Sequence, residues 1–192
     1  MPTARPVQST TRQPAVETQR EARPKTHQPR QPAQQNPWVH NYALRTHGTT
    51  ATGGYRPELL IDGNKTVYDG SSGFGYTLWS GKPTPSFMIT FRDGVELNAV
   101  RFLLWDRDSR FYRYKLEASQ ALARDEWVLL ADRTAEPLEC YGWQVIVFKP
   151  MLVCRLRLTG SFNSANKGFH VVEFEAYRIS EEHAKLYAQP EF

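Results

Sequence analysis

Apolar and polar positions alternate most cleanly in YRYKLEAS, where Tyr112, Tyr114, Leu116 and Ala118 fall on one face and Arg113, Lys115, Glu117 and Ser119 on the other. A period of two predicts a strand with one buried side. The same reading makes strands of SFMITF (86–91), AVRFLLW (99–105), WVLLADR (127–133), WQVIVF (143–148), VCRLRLTG (153–160) and HVVEFEAYR (170–178). RDG (92–94) reads as a turn closing the first of these. Only QALARDE (120–126) and SEEHAKLY (180–187) carry a helical pattern, and both are short. About eight strands over some 140 residues predict an all-β chain, a jelly-roll β-sandwich.

Composition changes abruptly before this pattern begins. Residues 1–36 hold six Pro and six Lys/Arg against two Glu, with almost no large apolar side chain. Such a segment cannot bury enough surface to offset the entropy of ordering, so it is expected to be a disordered basic arm. Residues 37–179 are then the sandwich, and 180–192 a short C-terminal helix or tail. The remaining 18 basic and 18 acidic residues cancel, so the chain's net charge of +4 resides in the arm. A neutral body argues against nucleic-acid binding by the sandwich and leaves that role, if any, to the arm.

The first residues lack the apolar core of a secretory signal, and no stretch approaches a membrane span. Cys140 and Cys154 are too few for a disulfide scaffold. Cys154 alternates with Arg155 and reads as a small buried hydrophobe, while a Cys140–Cys154 bridge is the less favoured alternative. A cytoplasmic or cytoskeletal location follows as an expectation.

No catalytic constellation assembles: there is no GxSxG, HExxH, CxxC or Gly-rich phosphate loop. His170, alone in its strand, reads as a hydrogen-bonded structural residue. ELLIDGNKTVYDGSSGFGYTLW (58–79) gathers Asp62, Asn64, Thr66 and Asp69 around a turn, which suits either a hard cation or hydrogen-bonded Asx turns without metal. Spacing alone favours the turn.

Four phrases in order, ALRTHGTTATGGYRPELLIDGNKT, VRFLLWDRDSRFYRYKLEASQALARDEWVLLADRT, GWQVIVF and LRLTGSFNSANKGFHVVEFEAY, resemble a discoidin domain, also called the coagulation factor 5/8 type C domain. The resemblance covers about residues 40–178 and is nearest to the discoidin-like domain of intracellular BTB/POZ adaptor proteins. It implies a galactose-binding-like jelly roll without catalytic activity, with binding loops at one end, the first of them Thr46–Tyr55. It also implies, from carbohydrate-binding relatives, a structural calcium at Asp62, Asn64, Thr66 and Glu173. The end-closing disulfide common in secreted members has no counterpart here, and neither does a BTB segment.

The loop in LLWDRDSRFYRYKLEAS (103–119) lies at one end of such a sandwich. Arg107, Arg110 and Phe111 form one candidate contact patch, since arginine and aromatic side chains anchor interfaces. A self-contained polar turn, with Asp106 and Asp108 paired to the arginines and Trp105 packed inward, is the other reading. Tyr55, Tyr76 and Trp79 form a second patch beside the glycines of GFGYTLWSG, which otherwise serve only a hairpin. The functional expectation is a non-enzymatic module for protein–protein attachment in a larger, cytoskeletal or ciliary, assembly. A carbohydrate-binding module built on the three aromatics is the alternative, and nucleic-acid binding by the arm a third.

Overall fold

Two strands far longer than the usual three to ten residues organise the chain. The computed structural model describes residues 36–78 and 86–188. Its strands are β1 (Thr50–Thr52), β2 (Gly75–Leu78), β3 (Ser86–Leu104), β4 (Phe111–Ser119), β5 (Val128–Glu139), β6 (Trp143–Asn163) and β7 (Gly168–Tyr177), followed by helix α1 (Glu181–Tyr187). All pair antiparallel in the order β2-β7-β3-β6-β4-β5, with β1 on β3. The arm predicted over residues 1–36 lies almost wholly outside the described residues, as does Trp79.

The register divides this sheet into two layers that share β3 and β6. Ala99–Leu104 of β3 pairs with β7 and with Trp143–Val147 of β6. Ser86–Thr90 pairs instead with β1 and with the second half of β6, which also carries β4. Between the two halves β3 is bulged at Thr90/Val95 and Leu97/Ala99. A bulge bends a strand without taking it out of the sheet, so RDG is not a strand-ending turn. WQVIVF and VCRLRLTG are likewise one strand, β6, and not two. These mergers leave fewer, longer strands than the sequence pattern predicts, within the expected sandwich.

Rings from both layers meet between them. Phe102 of β3 packs edge-on to Tyr114 of β4 at 5.1 Å, and Tyr112 is edge-on to Phe169 at 5.5 Å. Phe169 lies so close over Gly160 that an added Cβ would sit 2.0 Å from its Cγ. On β4 the apolar alternation holds, but Glu117 and Ser119 are buried too. Glu117 is held between Lys115 and Arg157 at 3.0 and 2.8 Å, and the Ser119 hydroxyl donates to the Ala121 carbonyl.

The helix expected over 120–126 does not form. The guanidinium of Arg155 takes the carbonyls of Ala121 and Arg124, and the first of these a helix would need for its own ladder. SEEHAKLY does form its helix, capped by the Ser180 hydroxyl, which accepts from the His183 N–H. Cys154 is buried as read, and both cysteines are free thiols, so the Cys140–Cys154 bridge is absent.

Candidate functional site

The site begins at a tight turn. Gly54 and Arg56 both adopt left-handed backbone, with φ of 60° and 50°, and carry Tyr55 between them. Gly75 meets this turn closely, because a Cβ there would lie 2.7 Å from the Arg56 carbonyl oxygen. Tyr55 and Tyr76 consequently exchange both backbone hydrogen bonds, at 2.8 and 3.0 Å. That bridge stacks their rings 4.8 Å apart and 15° from parallel, with Tyr55 54% exposed.

From Tyr76 the contacts continue across the loop end. In the β2–β7 register Tyr76 lies opposite His170, their rings 5.9 Å apart, and Phe74 meets the imidazole edge-on at 5.0 Å. On its other side His170 Nδ1 stands 3.3 Å from the Tyr112 hydroxyl and 3.4 Å from Arg110 Nη1. A guanidinium only donates, so Nδ1 is the acceptor and the imidazole proton resides on Nε2. Burial, with the Arg110 charge adding to it, lowers the His170 pKa to about 4, and the ring is neutral at pH 7.

Arg110 in turn lies over Trp105, 4.0 Å from the ring centroid. Asp108 grips it with both oxygens, 2.7 Å from Nε and 2.7 Å from Nη2. The Trp105 indole donates to the Tyr68 carbonyl at 3.0 Å, and Arg107 rests 3.9 Å over the Tyr68 ring. Rings and guanidinium groups thus form one contiguous ribbon: Tyr55, Tyr76, His170, Arg110, Trp105, Tyr68, Arg107. Cys140 fastens it from below, its thiol donating to the carbonyls of Trp105 and Arg110, and burial raises its pKa to about 11.

The two candidate patches read from sequence are therefore one surface. Tyr55, Tyr76, Arg107 and Arg110 lie on it, while Phe111 sits at its border, starting β4 with its N–H donated to Ser164 Oγ. Asp108 pairs with an arginine as expected. Asp106 does not: it accepts the Gly142 N–H at 3.1 Å. Trp105 is half-buried, serving as the surface under Arg110. Sequence reading missed Tyr68, Phe74 and the central place of His170; its only signal was that His170 opens the alternating run HVVEFEAY.

The four residues considered for calcium take part in local hydrogen bonds. Asn64 Oδ1 already accepts from Thr66 N, Thr66 Oγ1 and Val67 N, and Asp62 Oδ1 accepts from Asn64 N. These are closed Asx turns. Glu173 Oε2 accepts the Gly63 N–H at 3.1 Å, while its buried Oε1 has no partner. Burial, then the nearby Glu175 and Asp62 charges, push the Glu173 pKa up to about 9, which makes it a neutral acid at pH 7. Among the described residues no three His, Cys, Asp or Glu side chains converge as a metal group.

Two antiparallel layers sharing bent strands, with loops gathered into an aromatic surface at one end, define a discoidin-like, galactose-binding-like β-sandwich. No family model matches the chain. It is 35% identical over 136 residues to BTB/POZ domain-containing protein 9 of Homo sapiens, covering 70% of this chain and 21% of that one. To the Drosophila melanogaster protein of the same name it is 32% identical over 136 residues, covering 71% and 18%. The chain thus spans about a fifth of the length of these relatives. Among solved structures it resembles a chitosan-binding module of a Paenibacillus chitosanase/glucanase (TM-score 0.57, 19% identity, 73% of this chain and 100% of that one). It also resembles the family 32 carbohydrate-binding module of Clostridium perfringens NanJ, solved with galactose (TM-score 0.55, 15% identity, 72% and 98%). At such identities these structures speak to the fold. The chain carries a discoidin-like domain similar to a segment of BTB/POZ domain-containing protein 9.

Proposed function

We propose that this chain is a non-enzymatic binding module that attaches to a partner protein through the loop-end ribbon. The basic arm adds a second, tethered contact in a larger intracellular assembly. One observation carries the reading: the Tyr55–Tyr76 stack continues without a break into the His170, Arg110 and Arg107 contacts. Aromatic and arginine side chains already fixed in place lose little rotamer entropy on binding and are the commonest interface anchors. A basic segment tethered to such a surface raises the effective concentration of the second contact. Two buried free thiols suit a reducing setting. No described helix is long and apolar enough to cross a membrane.

The test is affinity capture from the native source, comparing the full chain, Tyr55→Ala and a version beginning at Pro37. Partners lost with Tyr55→Ala support the ribbon as the attachment surface, and partners lost only on removing the arm shift the role to residues 1–36. A second reading rests on the exposed face of Tyr55, an aromatic platform of the kind that stacks on a sugar ring. Tryptophan fluorescence titrated with galactose and with chitosan oligomers tests it, and the absence of any response rejects it.

A further inference from the structure

Two arginines, Arg107 on the ribbon and Arg56 beside it, differ from other arginines of the sandwich in charge partner. Arg110 is gripped by Asp108, Arg101 by Glu175 and Arg157 by Glu117. Arg107 and Arg56 have no carboxylate within ion-pairing distance among the described residues. Arg107 is exposed, and its guanidinium lies 3.9 Å over the Tyr68 ring. Arg56 donates one N–H to the Gly70 carbonyl and lies 5.8 Å from the Tyr76 ring centroid.

The acidic groups nearby are committed elsewhere. Asp106 is turned to the Gly142 N–H. Asp69 accepts from the N–H groups of Ser71 and Ser72 at 2.8 and 2.8 Å and from both hydroxyls. Between the two arginines His170 carries its proton on Nε2, for which no acceptor exists among the described residues. Arg107 and the His170 N–H are therefore set along an aromatic ribbon with no acceptor facing them among the described residues, and Arg56 beside them meets the Gly70 carbonyl but no carboxylate.

We infer that this end of the sandwich receives an acidic segment of the partner protein, with an Asp or Glu carboxylate on Arg107 and an apolar side chain against Tyr55 and Tyr76. The inference rests on the binding role proposed above and names the chemistry of its partner. An exposed guanidinium held over a ring, without a carboxylate of its own, keeps its fork available for bidentate pairing with a carboxylate. The sandwich has no net charge, so the attraction is local to these residues. The basic arm also draws anions through its charge.

The experiment uses the full chain and a fluorescein-labelled poly(Glu,Tyr) copolymer, read by fluorescence anisotropy. Arg107→Gln is compared with Arg92→Gln, which removes the same charge from an exposed site on β3 away from the ribbon, and with Arg107→Lys and Tyr55→Ala. Arg107→Gln is expected to weaken binding about tenfold, Arg92→Gln less than about twofold, and Arg107→Lys by an intermediate amount because charge remains without the fork. Equal small losses in Arg107→Gln and Arg92→Gln overturn the inference, since the arm or net charge then does the binding. So does failure of the copolymer to bind. If Tyr55→Ala loses the native partner and Arg107→Gln keeps it, the ribbon remains the attachment surface and only its acidic ligand is refuted. If both variants keep the partner, the binding role falls as well.

Discussion

Arg110 Nη1 stands 3.4 Å from His170 Nδ1, a contact between residues 60 apart in sequence. It joins the β2–β7 aromatics to the loop between β3 and β4 and fixes the imidazole tautomer. Because Asp108 holds the same guanidinium by two hydrogen bonds, an exposed carboxylate sets the orientation of a half-buried ring.

The imidazole should titrate late. Its folded pKa is depressed from 6.5 to about 4 by burial and by Arg110. For a base with a depressed folded pKa, stability is fully present above the unfolded value of 6.5 and is lost as pH falls toward 4. His170 resonances in an NMR titration should therefore stay in the neutral position down to about pH 5. Thermal stability should decline over the same interval, and His170→Phe should weaken that decline. Titration near pH 6.5 contradicts the geometry.

Glu173 has the opposite sign. Its pKa is raised from 4.5 to about 9, chiefly by burial, so its neutral form is the one the fold accepts. Stability linked to it is complete below 4.5 and is lost as pH rises toward 9. Glu173→Gln, an uncharged isostere, should raise Tm at pH 8 and leave it nearly unchanged at pH 4. Calcium should shift the Tm of neither protein. A calcium-dependent rise in Tm that disappears in Glu173→Gln establishes a cation site there.

Gly160→Ala should be costly. The added methyl would enter the Phe169 ring, with a Cβ–Cγ separation of 2.0 Å, and the ring is fully buried between the layers. Overpacking of this kind costs about 1–3 kcal/mol. Urea denaturation should show the loss as a lower midpoint at unchanged slope.

Local pattern revealed the sandwich because alternation in β4 and β7 is local chemistry. It miscounted the strands because RDG has turn composition while its backbone is a bulge within β3, and a bulge is decided by the partner strand. QALARDE has helical composition, yet Arg155, from a distant strand, takes two of its carbonyls. The same distinction governs the site. Tyr55, Tyr76, Arg107 and Arg110 were legible as residue types in loops. That they form one surface was not, because Tyr76 meets His170 only through the β2–β7 register and Arg107 meets Tyr68 only across the folded end. Asp106 looked like an arginine partner in sequence, but the turn at Gly142 supplies an N–H that the sequence does not place beside it.

The measurement closest to the central claim is quantitative affinity capture of native partners on the full chain and on Tyr55→Ala, with Leu152→Ala as an exposed apolar control. Tyr55 is more than half exposed, so its removal should leave Tm unchanged while stripping the ribbon of its outer ring. The account predicts that the captured protein partners fall at least about tenfold with Tyr55→Ala and persist with Leu152→Ala. Undiminished capture by a folded Tyr55→Ala protein contradicts it.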